Sequence, residues 1–335
     1  MNPPCGRVWV GETPSRKPKI NAWILCTDGN ETLMRSSAVQ LRSLLRSRLA
    51  DLMAPLRQQE RKTPRSDSAR TVQVAMLEVV RRLNRPGWSA YLVGGTLRDL
   101  LVHPEGVRRF EPRDVDIVVA GATGDELQAL LREHLTLERL TRFGGLHLSK
   151  TLLSGTRVSF DVWTLADTWG FHSQQIVPRI EDFPGTTFLN IDSCAVELQE
   201  PQGSERALYE KGFFAGMANR TLDVNYAPNP YPYLCAARAL LLAARLDFTM
   251  ARPLVEFILD HSAAGGVEPL IEAQRSHYGT VLSDASELAA WLQQMRRQFV
   301  RGEHSLRLEV PRARRLNLGG GQASAGSRSH SLASS

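Results

Sequence analysis

YLVGGTLRDLL (91–101), followed by RDVDIVV (113–119), decides how this chain folds. The apolar run SAYLV (89–93) reads as a short strand, Gly94 and Gly95 turn the chain, and TLRDLLV behind them has helical spacing. Glycines lack Cβ atoms, so backbone N–H groups at that turn can approach an anion, and the helix N-terminus adds positive potential. Arg98 sits one turn into the helix with Asp99 beside it. VDIVVA (115–120) is a β-branched run suited to a buried strand. Asp114 and Asp116 alternate on it, which places both carboxylates on one face. Two such charges repel each other unless a divalent cation lies between them. Paired carboxylates beside a phosphate cradle are what two-metal phosphoryl transfer requires. Taken singly, the Gly-Gly turn reads as a tight corner, Arg98 and Asp99 as a surface ion pair, and the two aspartates as a solvated strand end. Joined at this spacing, they make a specific signal.

Working outward, apolar residues at helical spacing mark SAVQLRSLLRSRLADLM (37–53), and again the stretch from Val72 to Leu83. GDELQALLREHL (124–135) reads as a helix, and LHLSKTLL (146–153) and RVSFDVWTL (157–165) as paired strands across Ser154-Gly155. GFHSQQIVPRIEDFPGTT (170–187) is long and polar, a candidate lid or binding loop. Beyond residue 230 the pattern turns helical over 232–248, 252–263 and 284–299. The expected organisation is a basic arm over 1–70 with one helix and otherwise flexible, an α/β head over 71–220, a helical module over 221–300, and a basic, disordered tail over 301–335.

The chain has 335 residues and a formal charge of +6, and its 42% hydrophobic content supports a sizeable core. The charge is uneven: residues 1–70 carry +7 and residues 292–335 carry +6, around a centre of −7. No apolar run reaches the ~20 residues that span a bilayer, which predicts no membrane partner. Leu234–Leu246, the richest run, is broken by Arg238. The first residues lack the apolar core of a secretory signal. Cys5, Cys26, Cys194 and Cys235 form no CxxC pair, which argues against a zinc site or a disulfide scaffold and fits a reducing cytoplasm.

LVGGTLRD followed by RDVDIVV resembles the head signature of class II tRNA nucleotidyltransferases (CCA-adding enzymes) and bacterial poly(A) polymerases. RFGGLHL (142–148), RVSFDVWTL and ARALLLAARLDF (237–248) are similar to the family's next segments, in the same order. The resemblance implies an α/β (α+β) nucleotidyltransferase head of the polymerase β-type superfamily, followed by a helical neck. It implies that Gly94, Gly95 and Arg98, with Asp99 beside them, surround an incoming NTP (ATP or CTP). It also implies that Asp114 and Asp116 hold Mg²⁺ in a two-metal site. Asp161 reads equally as a third catalytic acid and as a solvent-facing strand residue. His147 stands where the family often has arginine and reads as a surface or packing residue.

Two departures stand out. The family's Arg-Arg-Asp-Phe-Thr-Ile-Asn-Ala segment aligns with TTFLNIDSCA (186–195), so Thr186-Thr187-Phe188 replaces the charged triplet and Asn190-Ile191-Asp192 replaces Thr-Ile-Asn. The base-reading Glu-Asp-x-x-Arg aligns with Tyr231 to Cys235, where no acid or arginine remains. The expected activity is Mg²⁺-dependent transfer of a nucleoside monophosphate from an NTP to a hydroxyl, with release of pyrophosphate. The expected acceptor is an RNA 3′ end, such as that of tRNA. The alternatives are a transferase acting on a protein or small molecule, and a non-catalytic nucleotide- or RNA-binding descendant. Arg57, Arg61, Lys62, Arg65, Arg312, Arg314 and Arg315 are read as phosphate contacts on the basic ends, or equally as solvated charge.

Overall fold

The computed structural model describes residues 36–54, 67–102, 107, 110–141, 144–152, 155, 157–199, 205–263 and 265–311. The seven Arg and Lys residues read as phosphate contacts lie outside them, as do Cys5 and Cys26.

Helix α1 (Ala38–Met53) begins at a capping box, in which the Ser37 hydroxyl accepts from the Gln40 N–H and the Gln40 side chain accepts from the Ser37 N–H. Its leucines 41, 45, 49 and 52 recur at helical spacing and are buried. Helix α2 (Asp67–Leu83) starts ahead of Val72 and leads into β1 (Ser89–Val93), and α3 (Gly95–Val102) leaves the Gly94 turn. Then follow β2 (Val115–Ala120), α4 (Gly124–Arg132), β3 (Thr136–Leu140), β4 (Leu146–Thr151), β5 (Arg157–Thr164), α5 (Trp169–Gln174), β6 (Cys194–Glu197) and β7 (Leu208–Glu210).

These strands form one mixed sheet in the order β3-β4-β5-β2-β1-β6-β7. Only β2 and β5 pair in parallel, and their register sets Asp116 opposite Asp161. A parallel pair needs a crossover. Here α4 and the β3–β4 hairpin supply it. One face of the sheet, through Leu92, Ile117, Val119, Phe160 and Val162, packs in the main core with Met76 and Val80 of α2, Leu97 and Leu100 of α3, and Leu127 and Leu131 of α4. The other face builds a second, smaller core from Tyr91, Val93, Val118 and Ala195. Phe171 of α5, with Ile180 and Phe183 after it, closes this core. The stretch 170–187, expected as a polar lid, therefore has a buried apolar underside. Its exposed apolar residues are Ile176 and Val177.

Gly121 ends β2 with φ +84°, and a Cβ there would lie 2.0 Å from the Gly87 carbonyl oxygen. Both the left-handed backbone and the contact oppose a side chain. Gly121→Ala should cost about 2–3 kcal/mol, read as a fall in the urea midpoint with unchanged slope. An unchanged midpoint would show that the β1–β2 end yields easily.

Past α6 (Phe213–Asn219), on which α1 packs, and β8 (Thr221–Leu222), the chain is helical: α7 (Pro232–Leu246), α8 (Arg252–Ala263), α9 (Glu268–Tyr278) and α10 (Ala285–Val300). Strands β9 (Thr249–Ala251) and β10 (Ser305–Arg307) join β8 in a three-stranded sheet of order β10-β9-β8. Two boundary expectations change. Helix α1 docks on α3 and α6 by its leucine face, so residues 38–53 are built into the head. The expected tail from residue 301 begins as structure, because Leu306, Leu308 and Val310 bury apolar side chains and β10 pairs with β9. Residues 312–335, the remainder of that tail, lie outside the described residues. Among the described residues no helix is long and apolar enough to cross a membrane.

Candidate active site

The Gly94–Gly95 turn forms because β1 must leave the sheet sharply to start α3, and Gly94 takes φ +63° to do so. A Cβ at Gly94 would stand 3.5 Å from Asp116 Oδ2. One at Gly95 would stand 3.0 Å from an Arg98 terminal nitrogen and 3.5 Å from one of Arg238. The turn is thus flanked by a carboxylate on one side and by two guanidinium groups on the other.

Asp116 is fixed from the turn as well as from its strand. Its backbone N–H donates to Thr96 Oγ1 at 3.1 Å, and the Thr96 hydroxyl lies 3.4 Å from Asp116 Oδ2. Burial, then the neighbouring Asp161, push the Asp116 carboxyl up to about 7. Parallel pairing of β2 with β5 creates that neighbour by setting Asp161 opposite Asp116. His147 on β4 pairs with Asp161 across the next strand, and its Nδ1 lies 2.6 Å from Asp161 Oδ1. Asp114, just before β2, accepts from Arg113 Nε at 2.6 Å. Arg113 in turn lies over the Tyr278 ring at 5.2 Å, and its terminal nitrogen is 3.4 Å from His277 Nε2 at the end of α9. Burial and Arg113 push the His277 imidazole down to about 4, so it is neutral at pH 7.

On the other side of the turn, Arg98 is 4% exposed. Its Nε donates to Asp99 at 3.0 Å and another nitrogen to Asp192, which is itself 8% exposed. Asp192 also accepts from Arg238 of α7 at 2.9 Å, and Asp99 from Arg245 of α7 at 3.0 Å. Burial raises the Asp99 carboxyl, but Arg98 and Arg245 outweigh it and hold the group below the usual carboxylate range. Asp192 is the main reason that Arg238 is held above the ordinary arginine value. Head and helical module therefore meet in a chain of alternating charges beneath the glycine turn.

Of the seven residues singled out in the sequence, Gly94, Gly95, Arg98 and Asp116 meet at the turn, Asp161 stands opposite Asp116 in register, Asp99 pairs with Arg98 and Arg245, and Asp114 sits just before β2 on Arg113. Sequence reasoning missed Thr96, Asp192, Arg238 and Arg245 as members of the site. Arg238 left a signal, since it interrupts the most apolar run of the chain. Among the described residues no three His, Cys, Asp or Glu side chains are grouped so as to hold a metal ion by themselves. Mg²⁺ is ordinarily bound by one or two carboxylates together with water and substrate phosphates. Asp116 and Asp161, hard oxygen donors set side by side with Asp116 resisting ionisation, fit that smaller requirement. Cys194 and Cys235 are buried, and burial raises both thiols, Cys235 to about 12, so neither is a nucleophile at neutral pH.

No family model and no curated protein matches the chain. Among solved structures, it is similar to a CCA-adding enzyme in complex with CTP at 18% identity, covering 75% of this chain and 54% of that one with a TM-score of 0.48. A tRNA nucleotidyltransferase complexed with a primer tRNA and an incoming ATP analogue is 20% identical, with 68% and 61% covered and a TM-score of 0.44. The Thermotoga maritima CCA-adding enzyme complexed with tRNA is 18% identical, with 66% and 51% covered and a TM-score of 0.45. The chain spans 51–61% of the length of these three structures.

Proposed function

We propose that the protein is a Mg²⁺-dependent nucleotidyltransferase that moves a nucleoside monophosphate from an NTP to a hydroxyl, with an RNA 3′ end as the acceptor. The observation that carries this reading is the placing of Asp116 and Asp161 on adjacent parallel strands, directly beside the Gly94–Gly95 turn. Bound Mg²⁺ would supply charge neutralisation at the phosphates and lower the pKa of the attacking hydroxyl. Asp116 and Asp161 would hold it, in place of the expected pair Asp114 and Asp116, because Asp114 is engaged by Arg113 at 2.6 Å; Thr96 fixes Asp116 for that task. The bare backbone of Gly94 and Gly95 admits a phosphate to van der Waals contact at the start of α3. Arg238, one-third exposed, offers the phosphates a guanidinium from the opposite side. The acceptor oxygen attacks the α-phosphorus in line, its proton passes to water, and the bond to pyrophosphate breaks.

The acceptor is the finer part of the proposal. Tyr231 and Cys235 fall on the outer acid and the arginine of the base-reading motif, and Tyr233 between them is 39% exposed, with His261 at 6.5 Å between ring centres. A tyrosine face stacks on any base. This supports weak discrimination among NTPs. Incubation of the full chain with each α-labelled NTP, Mg²⁺ and either tRNA or oligo(A) should label the RNA, with comparable use of several NTPs. Label appearing in lysate proteins instead of RNA would move the acceptor to a protein, and no transfer to any acceptor would overturn the enzyme reading.

A further inference from the structure

The charge chain beneath the glycine turn contains one member whose position is decisive. Asp192 lies in the 3₁₀ turn Asn190–Asp192, outside both the sheet and α7, and its two carboxylate oxygens serve different elements. Oδ1 takes Arg98 of α3 and Oδ2 takes Arg238 of α7. The turn is itself pinned: Asn190 Oδ1 accepts the N–H of Ile191 and of Asp223 at 2.9 Å each, and its amide donates to the Thr221 carbonyl at 3.0 Å. A substituted methyl at Gly216 would collide with Asn190 Nδ2 at 2.4 Å, so α6 also closes on this turn. Asp192 is therefore a rigid carboxylate, while Arg238 is a long side chain with many rotamers and partial exposure.

We infer that Asp192 is a positioning residue, which aims Arg238 of the helical module at the Gly94–Gly95 turn so that the two halves of the protein present a single seat for a polyphosphate. Without Asp192, Arg98 would keep Asp99, but Arg238 would lose its carboxylate, face the Arg98 cation and swing toward water. With it, both guanidinium groups stay within contact of Gly95. Asp99 does not substitute, because its partners are Arg98 and Arg245. This inference rests on the nucleotidyltransferase reading for its biological meaning, but the seat can be tested without any transfer.

The probe is inorganic tripolyphosphate, titrated calorimetrically into the full chain at low salt. Asp192→Asn should weaken its binding about tenfold, Arg238→Gln should do the same, and the double variant should be no weaker than Arg238→Gln alone. That non-additivity separates aiming from mere support of the fold, which would lower the thermal midpoint and leave the coupling at zero. If Asp192→Asn does not fold, Asp192→Glu keeps the charge and displaces it by one methylene, and a loss of affinity in the folded variant has the same meaning. Unchanged affinity in the Asp192 variant, additive losses, or absence of tripolyphosphate binding by the wild-type chain each overturn the inference. Transfer activity undiminished in Asp192→Asn would sink it while leaving the function standing. Polyphosphate binding without transfer would do the reverse.

Discussion

Asp116→Asn should lower nucleotidyl transfer by on the order of 10²–10³-fold, the range for removing one preorganised electrostatic group, and should make the protein more stable at pH 8. The two effects have one cause. Burial and Asp161 hold the Asp116 carboxyl at about 7, well above its unfolded value. Between the unfolded and folded values, the native state keeps a proton that the unfolded chain has released, so native stability falls as pH rises through that window. Above about pH 7 the loss is complete, and it amounts to at most about 4 kcal/mol. Asparagine does not titrate, so the variant escapes the loss. Its advantage over wild type should grow from pH 4 to 7 and then level off. Mg²⁺ should raise the wild-type melting temperature at pH 8 and leave the variant unmoved. Melting curves at pH 5 and 8, with and without Mg²⁺, check each part, and coincident curves for the two proteins would reduce Asp116 to an ordinary strand residue.

Arg98→Met has a different signature. The resemblance implies a triphosphate contact for Arg98, yet the side chain is 4% exposed and satisfies two carboxylates. Methionine fills much of the volume but leaves Asp192 and Asp99 without their shared partner. Removing one member of a buried ion pair costs about 3–5 kcal/mol, and because Asp192 keeps Arg238 and Asp99 keeps Arg245 the loss here falls at the lower end. Chemical denaturation should show a loss in that range, larger than for Arg238→Gln, since Arg238 retains contact with solvent. Stability within about 1 kcal/mol of wild type, accompanied by weakened nucleotide binding, would make Arg98 a ligand contact and not a structural tie.

The parts of the site legible in the sequence share one property: their chemistry and their geometry are set within a few residues. Gly94 and Gly95 stand between a strand and a helix, and Asp114 and Asp116 flank Val115 at the start of β2. Asp161 was legible only as a possibility, because its meaning depends on β5 lying parallel to β2 across an intervening helix and hairpin. Asp192 and Arg238 are 46 positions apart in the chain, and nothing local in either announces the other. The fold shows the same division. Helix α9 escapes periodicity because its buried face includes Gln274, whose oxygen accepts the N–H of Leu282 and of Ser283. Strand β3 escapes because it is a charged edge strand with Leu140 58% exposed. Strands β9 and β10 have three residues each, too few for any alternation to register. The segment 170–187 misled by composition, since its polar residues outnumber the three apolar ones that hold it down.

The small sheet β10-β9-β8 has a consequence for the order in which the chain assembles. Asp247 ends α7 in the left-handed conformation at φ +57°, and its carboxylate accepts from Arg307 Nε at 3.0 Å. Residues 247 and 307 are thereby tied across all of α8, α9 and α10, a closure whose entropic cost is met only once those helices are packed. Ring closure over so long a segment is a late event on the folding path. During synthesis the helical module would thus stay unlatched until the ribosome has released the strand that carries Arg307.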